Sequence, residues 1–200
     1  MQKIKSIEVK CDMNRYIALL RGINISGKNK IAMSELKTWF EELGYTAVST
    51  YLNSGNVIFS SDVDDKGVVS NTIESMIKNK FELDIPVFSI SQKELEDILD
   101  NAPAWWGDDN KEIYDNLIFM SPLLSYDEFC NEVGKPKEEY EKVHNYKNAI
   151  FWSFSRKDYQ RTNWWSKTAS SSVSNLITIR TANTMRKVLG VCHKGAKLNE

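Results

Sequence analysis

The sequence predicts an α+β protein made of two tandem ferredoxin-like (βαββαβ) halves with antiparallel sheets, plus a C-terminal helix. Three observations lead there. Short apolar runs suited to buried strands alternate with segments whose apolar residues recur at helical spacing. Two pairs of strand-like runs are joined by tight turn signals, as in hairpins. The order strand, helix, hairpin, helix, strand then occurs twice within 200 residues. The repeat is one of element order; the two rounds show no residue-level similarity.

Each element has its own reason. Residues 15–20 form an unbroken apolar run after Arg15, the mark of a strand covered on both faces. Over residues 33–43, Met33, Leu36, Phe40 and Leu43 share one helical face, and Gly44 supplies a stop. Ser34 is the expected N-cap. Ala47–Leu52 and Val57–Phe59 read as strands joined at Asn53-Ser54-Gly55-Asn56. Residues 68–81 set Ile73, Met76, Ile77 and Phe81 at helical spacing, and Asp84-Ile85-Pro86 ends that helix before a strand at Val87–Ile90. In the second round, residues 92–101 make a connecting helix and Leu117–Met120 a strand. Tyr126–Val133 is a short helix before Gly134. Glu139–His144 and Ala149–Ser155 form a hairpin around Asn145–Asn148. A helix over 164–174, weakened by its serines, a strand at Leu176–Ile179 and a helix at Thr184–Leu189 complete it.

Composition narrows the function. Lys+Arg 26 nearly balances Asp+Glu 27, which argues against nucleic acid as the partner, because phosphate contacts demand a basic excess. No apolar run reaches the roughly 20 residues of a membrane span. MQKIKSIEVKCD lacks the apolar core of a secretory signal. Cys11, Cys130 and Cys192 are too far apart for a zinc cage and odd in number for a disulfide framework. The expected setting is cytoplasmic, with no membrane partner, no cofactor and no metal.

Residues 22–29, GINISGKN, come within one residue of the phosphate-binding P-loop G-x-x-x-x-G-K-[ST]. Asn29 stands where the magnesium-binding hydroxyl belongs. Lys30-Ile31-Ala32 separate the loop from the next helix, and the sheet is antiparallel, so ATP or GTP hydrolysis is not expected. The topology nevertheless places this loop at the same end of the sheet as the turn at 53–56. Arg21 and Lys28 would supply charge there, and Asn24, Asn29, Asn53, Ser54 and Asn56 would orient a small anionic or phosphorylated ligand. The competing reading is that the glycines permit turns and the asparagines cap backbone groups.

Tyr16-Ile17-Ala18-Leu19-Leu20-Arg21-Gly22-Ile23-Asn24, Gly27-Lys28-Asn29, Leu43-Gly44-Tyr45 and Thr50–Val57 resemble the opening signature of the domain of unknown function 1697 family. Phe81 with Asp84-Ile85-Pro86-Val87 resembles its helix-to-strand junction, and Thr178–Thr184 its C-terminal motif. The resemblance covers about residues 13–190. It implies an α+β fold of two ferredoxin-like halves and implies no activity. With it, the expected organisation is an N-terminal extension at 1–12, a first half at 13–90, a connecting helix and loop at 91–115, and a second half with C-terminal helix at 116–200.

Other motifs carry less. Asp62–Gly67 imitates a calcium loop but has Lys66 and Ile73 at ligand positions. His144 and His193 build neither a metal cluster nor a triad, so no catalytic residue is assigned. In Trp105-Trp106 and Trp164-Trp165, one member of each pair should be core. An exposed tryptophan could stack bases, but the paired aromatics of RNA-recognition domains are missing, so RNA binding ranks last. Two function classes follow: a module for a small anion at the first-half loops, or a structural or protein-interaction protein. Oligomeric state is not legible.

Overall fold

The computed structural model describes residues 13–108 and 110–196. Strands β1 (Asn14–Leu20), β2 (Thr46–Tyr51), β3 (Asn56–Ser61) and β4 (Val87–Ser91) form one antiparallel sheet in the order β2-β3-β1-β4. Helices α1 (Met33–Glu42) and α2 (Lys66–Phe81) connect them, and α3 (Gln92–Asp100) follows. Strands β5 (Ile113–Met120), β6 (Glu141–Tyr146), β7 (Ala149–Ser155) and β8 (Ile177–Thr181) form a second antiparallel sheet in the matching order β6-β7-β5-β8. Its helices are α4 (Tyr126–Val133) and α5 (Trp164–Ser170), and α6 (Ala182–Ala196) ends the described chain. The segment at 1–12, with Cys11, lies outside the described residues.

The unbroken apolar strands are explained by burial on both faces. Tyr16, Ala18 and Leu20 of β1 join Leu36 and Phe40 of α1 and Val69, Ile73 and Ile77 of α2 in one core. Ile17 and Leu19, on the opposite face, join Ile58 and Ile90 of the same sheet. That core also takes Leu95 and Ile98 of α3, Leu117, Phe119 and Phe151 of the second sheet, and Met185, Val188 and Cys192 of α6. A third core fills the far face of the second sheet, where Ile118, Ile150 and Trp152 meet Phe129 of α4 and Trp164 of α5.

Several boundaries differ from the sequence reading. Helix α1 starts at Met33 behind Ala32, which makes no side-chain cap, and Ser34 lies inside its first turn. Strand β5 starts at Ile113, because Tyr114-Asp115-Asn116 extend the ladder opposite Phe154-Ser153-Trp152 despite their polarity. Helix α5 stops at Ser170, where serines offer the backbone competing hydrogen bonds. Helix α6 is far longer than residues 184–189; it starts at Ala182 and runs through Gly190, with Met185, Val188 and Cys192 at core spacing.

Candidate functional site

The site grows from the end of β1. Where the strand stops at Leu20, the chain turns into a loop that reaches Ala32. Gly22, Asn24, Ser26, Gly27 and Asn29 all take the left-handed conformation, which glycine and asparagine adopt at least cost. The loop is held by its own amides. Asn24 Nδ2 donates to the carbonyls of Ile31 and Asn53, both at 2.9 Å, and Asn24 Oδ1 accepts from the Ile31 N–H at 2.9 Å. Asn29 Nδ2 donates to the Gly22 carbonyl at 3.0 Å. The Asn24–Asn53 bond sets the loop beside the β2–β3 turn, so the two lie together.

Asn56 at the foot of that turn is fully buried. Its Nδ2 donates to the Tyr51 carbonyl at 2.8 Å and to Ser54 Oγ at 3.1 Å. Gly55 holds φ +76°, and a Cβ there would stand 2.8 Å from the Leu20 Cβ. Asn53, Ser54 and Lys28 are exposed. Thus Asn24, Asn29 and Asn56 spend their amides on the fold, while Lys28 reaches into solvent.

What completes the site comes from the other sheet. Arg180 of β8 is 9% exposed, and every one of its N–H groups donates. Nε meets Asn56 Oδ1 at 2.7 Å. Nη1 meets Thr178 Oγ1 and the Ile179 carbonyl, both at 2.9 Å. Nη2 meets the carbonyls of Leu20 at 2.8 Å and Ser54 at 3.0 Å. All of these acceptors are neutral; no carboxylate is among them. Burial pulls the Arg180 pKa down to about 10, which leaves the guanidinium charged at neutral pH. Arg21 makes the reverse crossing: its Nε donates to the Ile177 carbonyl of β8 at 2.9 Å, and burial lowers its pKa too. Its Nη groups find no acceptor among the described residues. The two arginines line one cavity of about 230 Å³ with Gly22, Ile25, Thr168, Ala169 and Ile177–Ile179.

Residues 13–151 match the family model "Protein of unknown function (DUF1697)". The chain belongs to this family. A solved structure described as conserved bacterial protein SP0830 from Streptococcus pneumoniae is 31% identical, with a TM-score of 0.78, over 90% of this chain and 99% of that one. No curated protein matches.

In this DUF1697 chain the remaining motifs have structural employment. Asp65 caps α2, accepting from the N–H groups of Gly67 at 2.8 Å and Val68 at 3.2 Å. His193 pairs with Glu96 at 2.7 Å across α6 and α3, and His144 lies beside Phe151. Burial raises the Cys130 thiol, and raises that of Cys192 to about 11, so neither is a ready thiolate at neutral pH. Trp106 and Trp164 are core, whereas Trp105 is half-buried and Trp165 exposed against Tyr114, Phe154 and Tyr159. Among the described residues no group of three or more His, Cys, Asp or Glu could hold a metal ion. No described helix is long and apolar enough to cross a membrane. Arg180 lies within the Thr178–Thr184 motif, where the sequence alone assigns it no role. Its partners lie up to 160 positions away, beyond any local pattern.

Proposed function

We propose that this protein is a binding module for a small anionic or phosphorylated ligand, held where Arg21 and Arg180 cross between the sheets. The observation that carries this reading is their shared cavity, which has two guanidinium groups and no carboxylate among its lining residues. Cationic groups lodged in protein without a counter-ion attract an anion more strongly than exposed ones, because solvent screens them less. Lys28, exposed on the adjoining loop, adds to the attraction. Asn24, Asn29 and Asn56 act by fixing the loop and turn, and Asn53 and Ser54 lie exposed on that turn.

The two sheets, each with strand order second, third, first, fourth, are read as tandem ferredoxin-like halves at 13–90 and 116–200, joined through 91–115. The free Cys130 and Cys192 are consistent with a reducing, cytoplasmic setting. Calorimetry of the wild type and of Arg21→Ala and Lys28→Ala proteins against phosphorylated metabolites and small organic acids tests the function. A ligand should bind the wild type, and Arg21→Ala should weaken it about tenfold or more through loss of a charge-assisted hydrogen bond. Absence of any binding, together with a loss of several kcal/mol of stability in Arg21→Ala, would make the arginines structural.

A further inference from the structure

The outer edge of β8 carries a second property, which deepens the anion-binding reading and rests on it. The alternation of the second sheet is set by two bonds: Met120 N–H donates to the Asn148 carbonyl and Ser121 N–H to the Leu176 carbonyl, both at 2.8 Å. On β5, therefore, even-numbered residues face β7 and odd-numbered ones face β8. Phe119 and Leu117 exchange hydrogen bonds with their partners Thr178 and Arg180, and Ile177 and Ile179 turn both backbone groups outward. The outward carbonyls are occupied, Ile177 by Arg21 Nε and Ile179 by Arg180 Nη1. The outward N–H groups have no acceptor among the described residues.

An ordinary free edge offers donors and acceptors alternately and so invites another strand. The edge of β4 is closed by the chain itself: Val87 N–H donates to Glu74 Oε1 at 2.8 Å and Ser89 N–H to Ser70 Oγ at 3.2 Å. The edge of β8 is left with donors only. A peptide strand needs both kinds of group, whereas an oxyanion only accepts. We infer that the carboxylate or phosphate of a small organic acid docks on this edge, accepting from the Nη groups of Arg21 and from one of the outward amides of Ile177 and Ile179, which stand about 7 Å apart along the strand. The charge of Arg180 lies behind them, and Ile25 and Ala169 border the same cavity, offering apolar contact to a short hydrocarbon body. At about 230 Å³ the cavity is smaller than those that take drug-sized molecules, which limits the ligand to a small metabolite.

The test is amide NMR of the full chain titrated with butyrate, with inorganic phosphate and with chloride at constant ionic strength. The expected result is a saturable downfield shift of the Ile177 or the Ile179 amide proton with one or both oxyanions and none with chloride; the responding arm identifies the head group. Arg21→Gln should weaken the response at least tenfold. Lys37→Gln, which removes the same charge from the surface of α1, should leave it unchanged. Where Ile179 is the amide that shifts, Ile179→Pro, which removes that outward donor without a ladder bond, should also weaken it. Saturable shifts confined to Lys28 and residues 53–56 would overturn this inference while leaving the anion-module reading in place. Shifts shared by chloride, or no saturable shift with either oxyanion, would overturn it as well, and calorimetry against the wider panel would then decide the module reading separately. Capture of an extended peptide at Ile177 and Ile179 would overturn the donor-only edge.

Discussion

Arg180 and Arg21 look alike in sequence and differ in what their removal should do. Arg180 satisfies acceptors from three segments, the end of β1, the β2–β3 turn and β8 itself. Truncating it to Met leaves the Leu20 and Ser54 carbonyls and Asn56 Oδ1 facing each other without a donor. A buried unsatisfied group costs about 1–3 kcal/mol, so Arg180→Met should lose about 3 kcal/mol or more in urea unfolding. Arg180→Lys should recover only part, because an ammonium cannot reproduce a planar fork of five donors. Arg21 gives one bond to protein and keeps its Nη groups free, so Arg21→Ala should cost about 1 kcal/mol while affecting anion binding most. Equal losses of stability for both substitutions would contradict this division between clamp and ligand contact. Much of the difference was not legible from residues alone. Arg21 ends a strand beside a glycine-rich loop and is conspicuous, whereas the bond from Arg180 to Asn56 spans 124 positions.

At the scale of elements, the strands and helices were legible wherever one physical signal dominated. Tyr16–Leu20 is apolar at every position because both faces of β1 are covered, and Leu36 and Phe40 repeat at helical spacing because one face of α1 is. Boundaries failed where signals conflicted: Ala32 precedes α1 without a side-chain cap, and the polar residues 114–116 begin β5. The caps of α3 and α4, by contrast, are written as Ser-x-x-Glu at Ser91–Glu94 and Ser125–Glu128, and both form full capping boxes. The first makes a pH-dependent contribution. Burial pushes the Glu94 carboxyl up, but bonds from Lys66 and from the amide and hydroxyl of Ser91 outweigh it and hold the folded pKa below the usual value. A depressed carboxylate pKa stabilises fully above the unfolded value of about 4.3 and is lost as pH falls through the folded value. The stability gap between wild type and Glu94→Gln in urea melts should therefore be complete at pH 7 and shrink only as pH falls below about 4.3. A gap that stayed constant across that range would show that the carboxylate charge contributes nothing.

The whole molecule depends on the core that both sheets share. Ile17, Leu19, Ile58 and Ile90 on the first sheet are covered by α3, α6 and the second sheet, and Arg21 and Arg180 cross at the edge of that contact. Burying an apolar side chain of this size contributes about 1.5–3 kcal/mol, so these four amount to roughly 6–12 kcal/mol. That is comparable to the net stability of an entire domain, about 5–15 kcal/mol. Neither sheet with its own two helices should then hold its fold alone, although each has a core on its far face. The cavity between Arg21 and Arg180 has the same dependence, since its walls come from the loop after β1, from α5 and from β8. Heating the intact chain in a calorimeter should give one transition whose calorimetric and van't Hoff enthalpies agree. Phe119→Ala, which opens the shared core from the second sheet, should lower that single transition by about 3–5 kcal/mol of stability without splitting it. Two resolved transitions, with only one displaced by Phe119→Ala, would mean that the sheets fold independently and that the arginine crossing joins units already stable.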